Sequence, residues 1–343
     1  MTMERPGVLE GAVAPVENDK LFGHPEAEAF LAQSYRSGKG HHAILIEGPE
    51  GIGKATLAFR FANHVLSHSE PAEAPELLDD PDPASLVTRQ LASGASHNLL
   101  HLTRPVDEKT GRAKGAITVD EVRRAGKFFG QTSGTGNWRI VIIDPADDLN
   151  RNAANAILKI LEEPPRRSLF LVLTHAPGKL LPTIRSRCLP LRLKPLESDS
   201  MRLALAHLGF DLAGPSADGI IAAASGSVSE ALKLINYGGL DIAAAFEDIL
   251  AGQGPSVRKQ MYKLADILSA KDSETIYDFF SSLATGRVMR LARDAAIAGD
   301  IHRAERFARL SSSFSERLTI SDAYNLDRKQ TILSLLDDLK DAL

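Results

Sequence analysis

The sequence predicts a three-layer α/β domain built on a parallel sheet, then a small helical lid and an all-helical C-terminal domain. Three observations predict this. Short continuous apolar runs alternate with amphipathic stretches as far as about Pro195. A glycine-rich loop joins the first of those runs to the first long amphipathic stretch after it. Beyond Pro195 the strand signals stop and helical spacing takes over. Apolar runs that are continuous rather than alternating mark strands covered on both faces, and helices between them make the sheet parallel.

The strands are expected at Ala43–Ile46 (AILI), Asn98–Leu102 (NLLHL), Ile140–Ile143 (IVII), Leu169–Leu173 (LFLVL) and Leu189–Leu193 (LPLRL). The last is weakened by its proline and arginine. Helices are expected at Thr56–Leu66, Val119–Phe129 and Asn152–Glu163. In the last, Ala153, Ala156, Ile157, Ile160 and Leu161 recur at i, i+3, i+4, i+7 and i+8. Asn150 or Asn152 caps its start and Pro164-Pro165 stops it. Residues 1–19 read as a polar tail, 20–195 as the α/β domain, 196–238 as the lid and 239–343 as the C-terminal domain. Within the α/β domain, residues 67–96 form an acidic, proline-rich surface excursion with one short helix at Ala84–Ala92, and Gly130–Asn137 is a flexible loop. Lid helices are expected at Ser198–Leu208, Ala217–Ala224 and Ser227–Asn236, with a boundary at Gly238-Gly239. The C-terminal helices are Ser256–Ser269, Ser273–Ala298, Ile301–Leu318 and Asp322–Ala342.

At 343 residues the chain exceeds one hydrophobic core. Its formal net charge of −4 argues against a globally basic grip on nucleic acid, so any DNA contact is local or shared. One cysteine, Cys188, excludes an internal disulfide and a multi-cysteine zinc site, and fits a reducing, cytoplasmic setting. No apolar run has bilayer-spanning length, so no membrane contact is expected.

The chemistry concentrates in GPEGIGKATL, Gly48–Leu57. A phosphate-binding loop needs Gly, four residues, then Gly-Lys and a Ser or Thr. Gly48, Gly51 and Gly53 turn backbone N–H groups inward, and Lys54 reaches the outer phosphates. The residue after the lysine normally gives its hydroxyl to magnesium. Here it is Ala55, and the hydroxyl comes one place late, at Thr56. The strand RIVIID ends in Asp144, placed for a magnesium-bound water, but the following position holds Pro145 instead of a glutamate base. Asp147 and Asp148 lie on the next turn and read as a solvated helix start. Two altered positions favour a site that binds nucleotide weakly or not at all.

The order GPEGIGK, RIVIIDPAD, NAANAILKILEEPP and LFLVLTHAPGKLLPTIRSRC resembles the clamp-loader branch of the AAA+ ATPases, as do LFGHPEA at Leu21–Ala27 and HHAILIEGP at His41–Pro49. The likeness is strong over residues 20–195 and moderate to about 238. It implies an AAA+ domain, a lid and an oligomerising collar. ATPase members of this branch carry Ser or Thr after the loop lysine, Asp-Glu at the second motif and an arginine in the lid before Ala-Leu. This chain has Ala55, Asp144-Pro145 and, within SGSVSEAL, Ser229.

What the resemblance implies is a subunit that hydrolyses no ATP itself. Arg187, beside Ser186 in SRC, would act in trans as an arginine finger on a neighbour's γ-phosphate. Thr174 matches a γ-phosphate-sensing position. Glu162 and Glu163 are retained for a polar contact or a subunit interface. The implied partners are gamma/tau-type ATPase subunits, a delta subunit, the sliding clamp and, through the assembly, primed DNA. No cofactor is required, and residual ATP or ADP with magnesium in the loop is left open. No zinc is expected: the four-cysteine module of many relatives is missing, and His64/His68 and His97/His101, spaced as on a helix, are better read as packing residues. The alternative is an active AAA+ ATPase subunit with Thr56 turned to magnesium and Asp147 or Asp148 recruited as base.

Overall fold

In the computed structural model of the chain, the described residues are 9–107, 113–130, 137–210, 215–271, 273–324 and 326–343. The loop expected at Gly130–Asn137 thus lies mostly outside them. The chain divides into two compact units, Met1–Ser229 and Glu230–Leu343.

The first unit contains five parallel strands: β1 (Ala43–Glu47), β2 (Leu99–Leu102), β3 (Arg139–Ile143), β4 (Ser168–Thr174) and β5 (Leu189–Arg192). Their order across the sheet is β2-β3-β4-β1-β5. Every residue of β1 and β4 is buried, which is why these runs are apolar without alternation. Strand β5 pairs only with β1, and at this edge Pro190 is tolerated because its missing N–H faces no partner. The register sets Glu47 beside Thr174 and Ile143 beside Val172. The segments after β1, β3 and β4 therefore emerge side by side at one edge, where α/β sheets bind their ligands.

Helices α1 (Pro25–Arg36), α2 (Lys54–Ser67), α3 (Leu86–Ala92), α4 (Val119–Gly130), α5 (Arg151–Glu162) and α6 (Pro182–Arg185) accompany the sheet. Val122 and Ala125 of α4 and Ala153, Ile157 and Leu161 of α5 form one core with Leu45, Val141, Ile143, Phe170 and Val172. The strand residues alternate along each strand, as the period-2 pleat requires. The Asn150 side chain accepts from Ala153 N–H at 2.9 Å and caps α5, while Pro164 follows its end. The sequence reading missed α1, although Pro25 at its first turn, Glu26, Glu28 and the terminal Arg36 are ordinary start and stop signals.

The acidic surface excursion is tied to the domain by ion pairs. Arg60 on α2 is only 4% exposed and bonds Glu28 at 3.1 Å and Asp80 at 2.9 Å; Asp80 also pairs with Lys20. Glu70 pairs with Arg167 at 2.6 Å. Residues 9–19, expected as a polar tail, include the buried Ala14, and the Asp19 carbonyl accepts from Arg60.

Helices α7 (Ser198–His207), α8 (Pro215–Ala224) and α9 (Val228–Asn236) follow, the unit division falling inside α9. The second unit continues with α10 (Gly239–Ala251), α11 (Pro255–Leu268), α12 (Glu274–Ile297), α13 (Ile301–Tyr324) and α14 (Arg328–Ala342). Phe246, Tyr277, Phe280, Phe307 and Phe314 are fully buried there. Lys340 donates to Leu250 O at 3.1 Å and Gly252 O at 2.7 Å, satisfying the open carbonyls at the end of α10. The helix expected at Asp322–Ala342 is corrected. Asp322–Tyr324 complete α13, and α14 starts only after Asp327, whose side chain accepts from Gln330 N–H as its cap.

Removing Arg60 leaves Glu28 and Asp80 without their shared cation. Arg60→Leu is expected to lower the unfolding free energy by about 2 kcal/mol, less than for a fully buried triad because Asp80 is half exposed. Urea denaturation measures this, and a midpoint equal to wild type would show the network to be idle.

Candidate functional site

The loop after β1 is built from its own atoms. Lys54 begins α2 and is 4% exposed. Its ammonium donates to Gly48 O at 2.7 Å, to Pro49 O, and to His175 Nδ1 at 2.7 Å. Three acceptors match the three N–H donors of an ammonium. An incoming phosphate must displace at least one of them. Burial drives the Lys54 pKa down to about 8, against the pull of the Asp144, Glu50 and Asp147 charges. Burial and the nearby ammonium of Lys54 also lower His175.

Protein packs tightly on the loop. The N–H of Val228, at the start of α9, donates to Gly51 O at 2.9 Å. Gly51 has φ +74°, and a Cβ there would meet Ser227 Oγ at 2.3 Å and Ser229 Cβ at 2.6 Å. Only glycine fits this approach. Ser229 therefore lies directly against the loop. At Gly53 a Cβ would meet Leu21 Cδ1 at 2.8 Å, and His24 Nε2 shares a hydrogen bond with Ile52 O at 2.8 Å. Gly48 sits under the Leu193 carbonyl, where a Cβ would come within 2.7 Å. The close approaches that glycines allow a phosphate are made here by the chain itself.

Asp144 ends the β3 segment at the same edge, with His101 Nε2 at 3.7 Å from its carboxylate. Thr174 is fully buried and its hydroxyl donates to Asp147 Oδ1 at 2.8 Å. Asp147 also accepts from His175 N–H at 2.6 Å and Ala176 N–H at 3.2 Å. It is a cap for the turn after β4, both of its oxygens accepting hydrogen bonds. Asp148 faces Arg104 at 3.1 Å, and burial raises its pKa. Thr56 is buried on α2 and Ala55 is half-buried. Ala55 offers no hydroxyl to a magnesium ion, and the Lys54 ammonium is engaged by its own loop and His175.

Thr174, Asp144 and the Gly48–Lys54 loop are thus brought together. Arg187 and Ser186 lie elsewhere, at the corner between α6 and β5. Arg187 Nη2 pairs with Glu162 Oε1 at 2.6 Å, and Nη1 donates to Thr183 O at 2.9 Å and Ser186 Oγ at 3.4 Å. Its side chain is 34% exposed. Cys188 beside it is buried, and burial pushes its thiol up to about 12, so it packs rather than reacts. His175 was missed by the sequence reading; its adjacency to Thr174 is the only signal it carries. His97 and His101 do not share a helix: His101 lies on β2, after a turn at His97. Nε2 of the buried His64 has no hydrogen-bond partner, and burial lowers its pKa to about 4, as suits a neutral packing histidine.

The buried ammonium leaves a pH signature. The folded Lys54 pKa of about 8 lies below its ordinary 10.5, so the unfolded chain binds more protons between those values. Stability is expected to rise with pH across about 8 to 10.5, by at most about 3 kcal/mol, relative to Lys54→Met. Paired denaturation curves at stepped pH measure the difference. A constant difference between the two proteins would contradict the geometry.

A family model described as "DNA polymerase III, delta subunit" matches residues 23–197. The chain is 36% identical over 165 residues to the DNA polymerase III subunit delta' of Pseudomonas aeruginosa, covering 48% of this chain and 47% of that one. It is 30% identical over 213 residues to the Escherichia coli subunit delta', covering 61% and 59%. The chain spans about half the length of the curated relatives it matches. A solved structure of a DNA polymerase III gamma subunit-related protein from Thermotoga maritima is similar at a TM-score of 0.46 and 17% identity, over 92% of this chain and 99% of that one. A parallel α/β sheet with a glycine loop, followed by helices, and a matched family model over half the chain lead to one assignment: the chain belongs to the DNA polymerase III delta-subunit family, as a delta-prime-like member.

Proposed function

We propose that this chain is a non-hydrolysing subunit of a clamp loader, which opens a sliding clamp and places it on primed DNA. Its working group is Arg187, presented to the γ-phosphate of ATP held by a neighbouring gamma/tau-type subunit. The helices of the second unit would join the collar with those subunits and a delta subunit. The protein would work in the cytoplasm, in keeping with its single cysteine.

The observation that carries this reading is the contrast between two cations. The Lys54 ammonium is buried, with its donors spent on its own loop. The Arg187 guanidinium is part exposed at the domain edge, in an SRC corner. A cation whose donors are spent on its own loop, together with another left part exposed at the α6–β5 corner, suits a subunit that stabilises charge in another's transition state. No cofactor is required in this reading. The active-ATPase alternative loses support because Asp147 is engaged by Thr174 and two backbone N–H groups.

In an assembly reconstituted with its ATPase subunits, clamp and primed DNA, Arg187→Ala should fold as wild type and lower ATP turnover about tenfold. That is less than the roughly 10³-fold effect of an isolated finger, because the ring holds further sites. DNA-stimulated phosphate release measures it, and unchanged turnover would refute the role of Arg187.

A further inference from the structure

We propose that Glu162 is a positioning residue for Arg187, holding the guanidinium outward and ready for a neighbour's phosphate; this rests on the reading above. Glu162 is the last residue of α5. A carboxylate there faces the negative end of the helix dipole, an unfavourable place for an anion without a counter-charge. Arg187 supplies one, with Nη2 at 2.6 Å from Oε1. Nη1 is meanwhile held by Thr183 O and Ser186 Oγ. These bonds take three of the five N–H donors of a guanidinium, leaving two outside them for an anion.

Both side chains are part exposed, 34% for Arg187 and 47% for Glu162, so water screens the pair and its share in stability is small. Its effect is order. A free arginine samples many rotamers, and one already fixed by three partners meets a phosphate with less left to lose. The end of α5 is set by the two prolines after Glu163, which places the carboxylate in sequence as well as in space. Glu162 and Arg187 thus tie the LEEPP and SRC segments into one device. A carboxylate at this spot acts in one of two senses. If it positions the cation, losing its charge slows the partner's hydrolysis; if it locks the cation away, losing its charge speeds it.

The test is a double-mutant cycle in the reconstituted assembly with the full chain: wild type, Glu162→Gln, Arg187→Ala and both. DNA-stimulated ATP hydrolysis is read as separate kcat and KM values. Glu162→Gln should lower kcat roughly threefold to tenfold, with KM for ATP unchanged within about twofold, and should add nothing in the Arg187→Ala background. A wild-type or raised kcat for Glu162→Gln, with Arg187→Ala slow, overturns the positioning role and leaves the finger standing. An equal loss from Glu162→Gln in both backgrounds overturns it as well, since Glu162 would then act without Arg187. A wild-type rate for Arg187→Ala removes the finger and this inference together.

Discussion

The ammonium of Lys54, turned back onto the carbonyls of Gly48 and Pro49 and onto His175, is the contact on which the rest of the site depends. A phosphate-binding loop works because backbone N–H groups and a lysine face a cavity that an anion fills. Here the lysine's donors are satisfied from within, and the start of α9 lies on Gly51. Leu21 and His24 close the opposite side through Gly53 and Ile52. The glycines are required as strictly as in a nucleotide-binding loop, for a different reason: the protein's own side chains make the close approach.

The same economy is visible after β4. Thr174 and Asp147, both chemically suited to a nucleotide, bond one another, and Asp147 also accepts from the turn after β4. Positive charge available to a phosphate is instead found at the α6–β5 corner, where Arg187 is braced by Glu162 and Thr183. In the proposed reading, packing that holds one cation on its own loop and leaves another part exposed separates binding of nucleotide from stabilisation of its hydrolysis. That is a division of labour suited to a ring, in which each site is completed by its neighbour.

Much of the fold was legible in residue pattern because β1, β3 and β4 are buried on both faces and helices such as α5 carry an apolar stripe with cap and stop. The edge strand β5 was legible too, its proline consistent with pairing on one side only. Less visible was anything that depends on contacts far apart in sequence. Nothing local indicates that Arg60 gathers Glu28, Asp80 and Asp19, so the ties that hold the acidic surface excursion were not legible. The glycine pattern announced a loop but not that Ser227 and Ser229 would lie against Gly51. The pairing of Glu162 with Arg187 spans β4 and α6 in sequence, and only the fold brings it about. The break between α13 and α14 was expected between Leu318 and Asp322 but falls six residues later, between Tyr324 and Arg328, where Asp327 restarts the helix by capping.

The central claim is that this loop is closed by its own lysine and lid. Isothermal titration of the isolated chain with magnesium ATP tests it most directly. The account predicts no saturable heat up to millimolar nucleotide, with the same flat trace for Lys54→Ala. Micromolar binding that disappears in Lys54→Ala would contradict it.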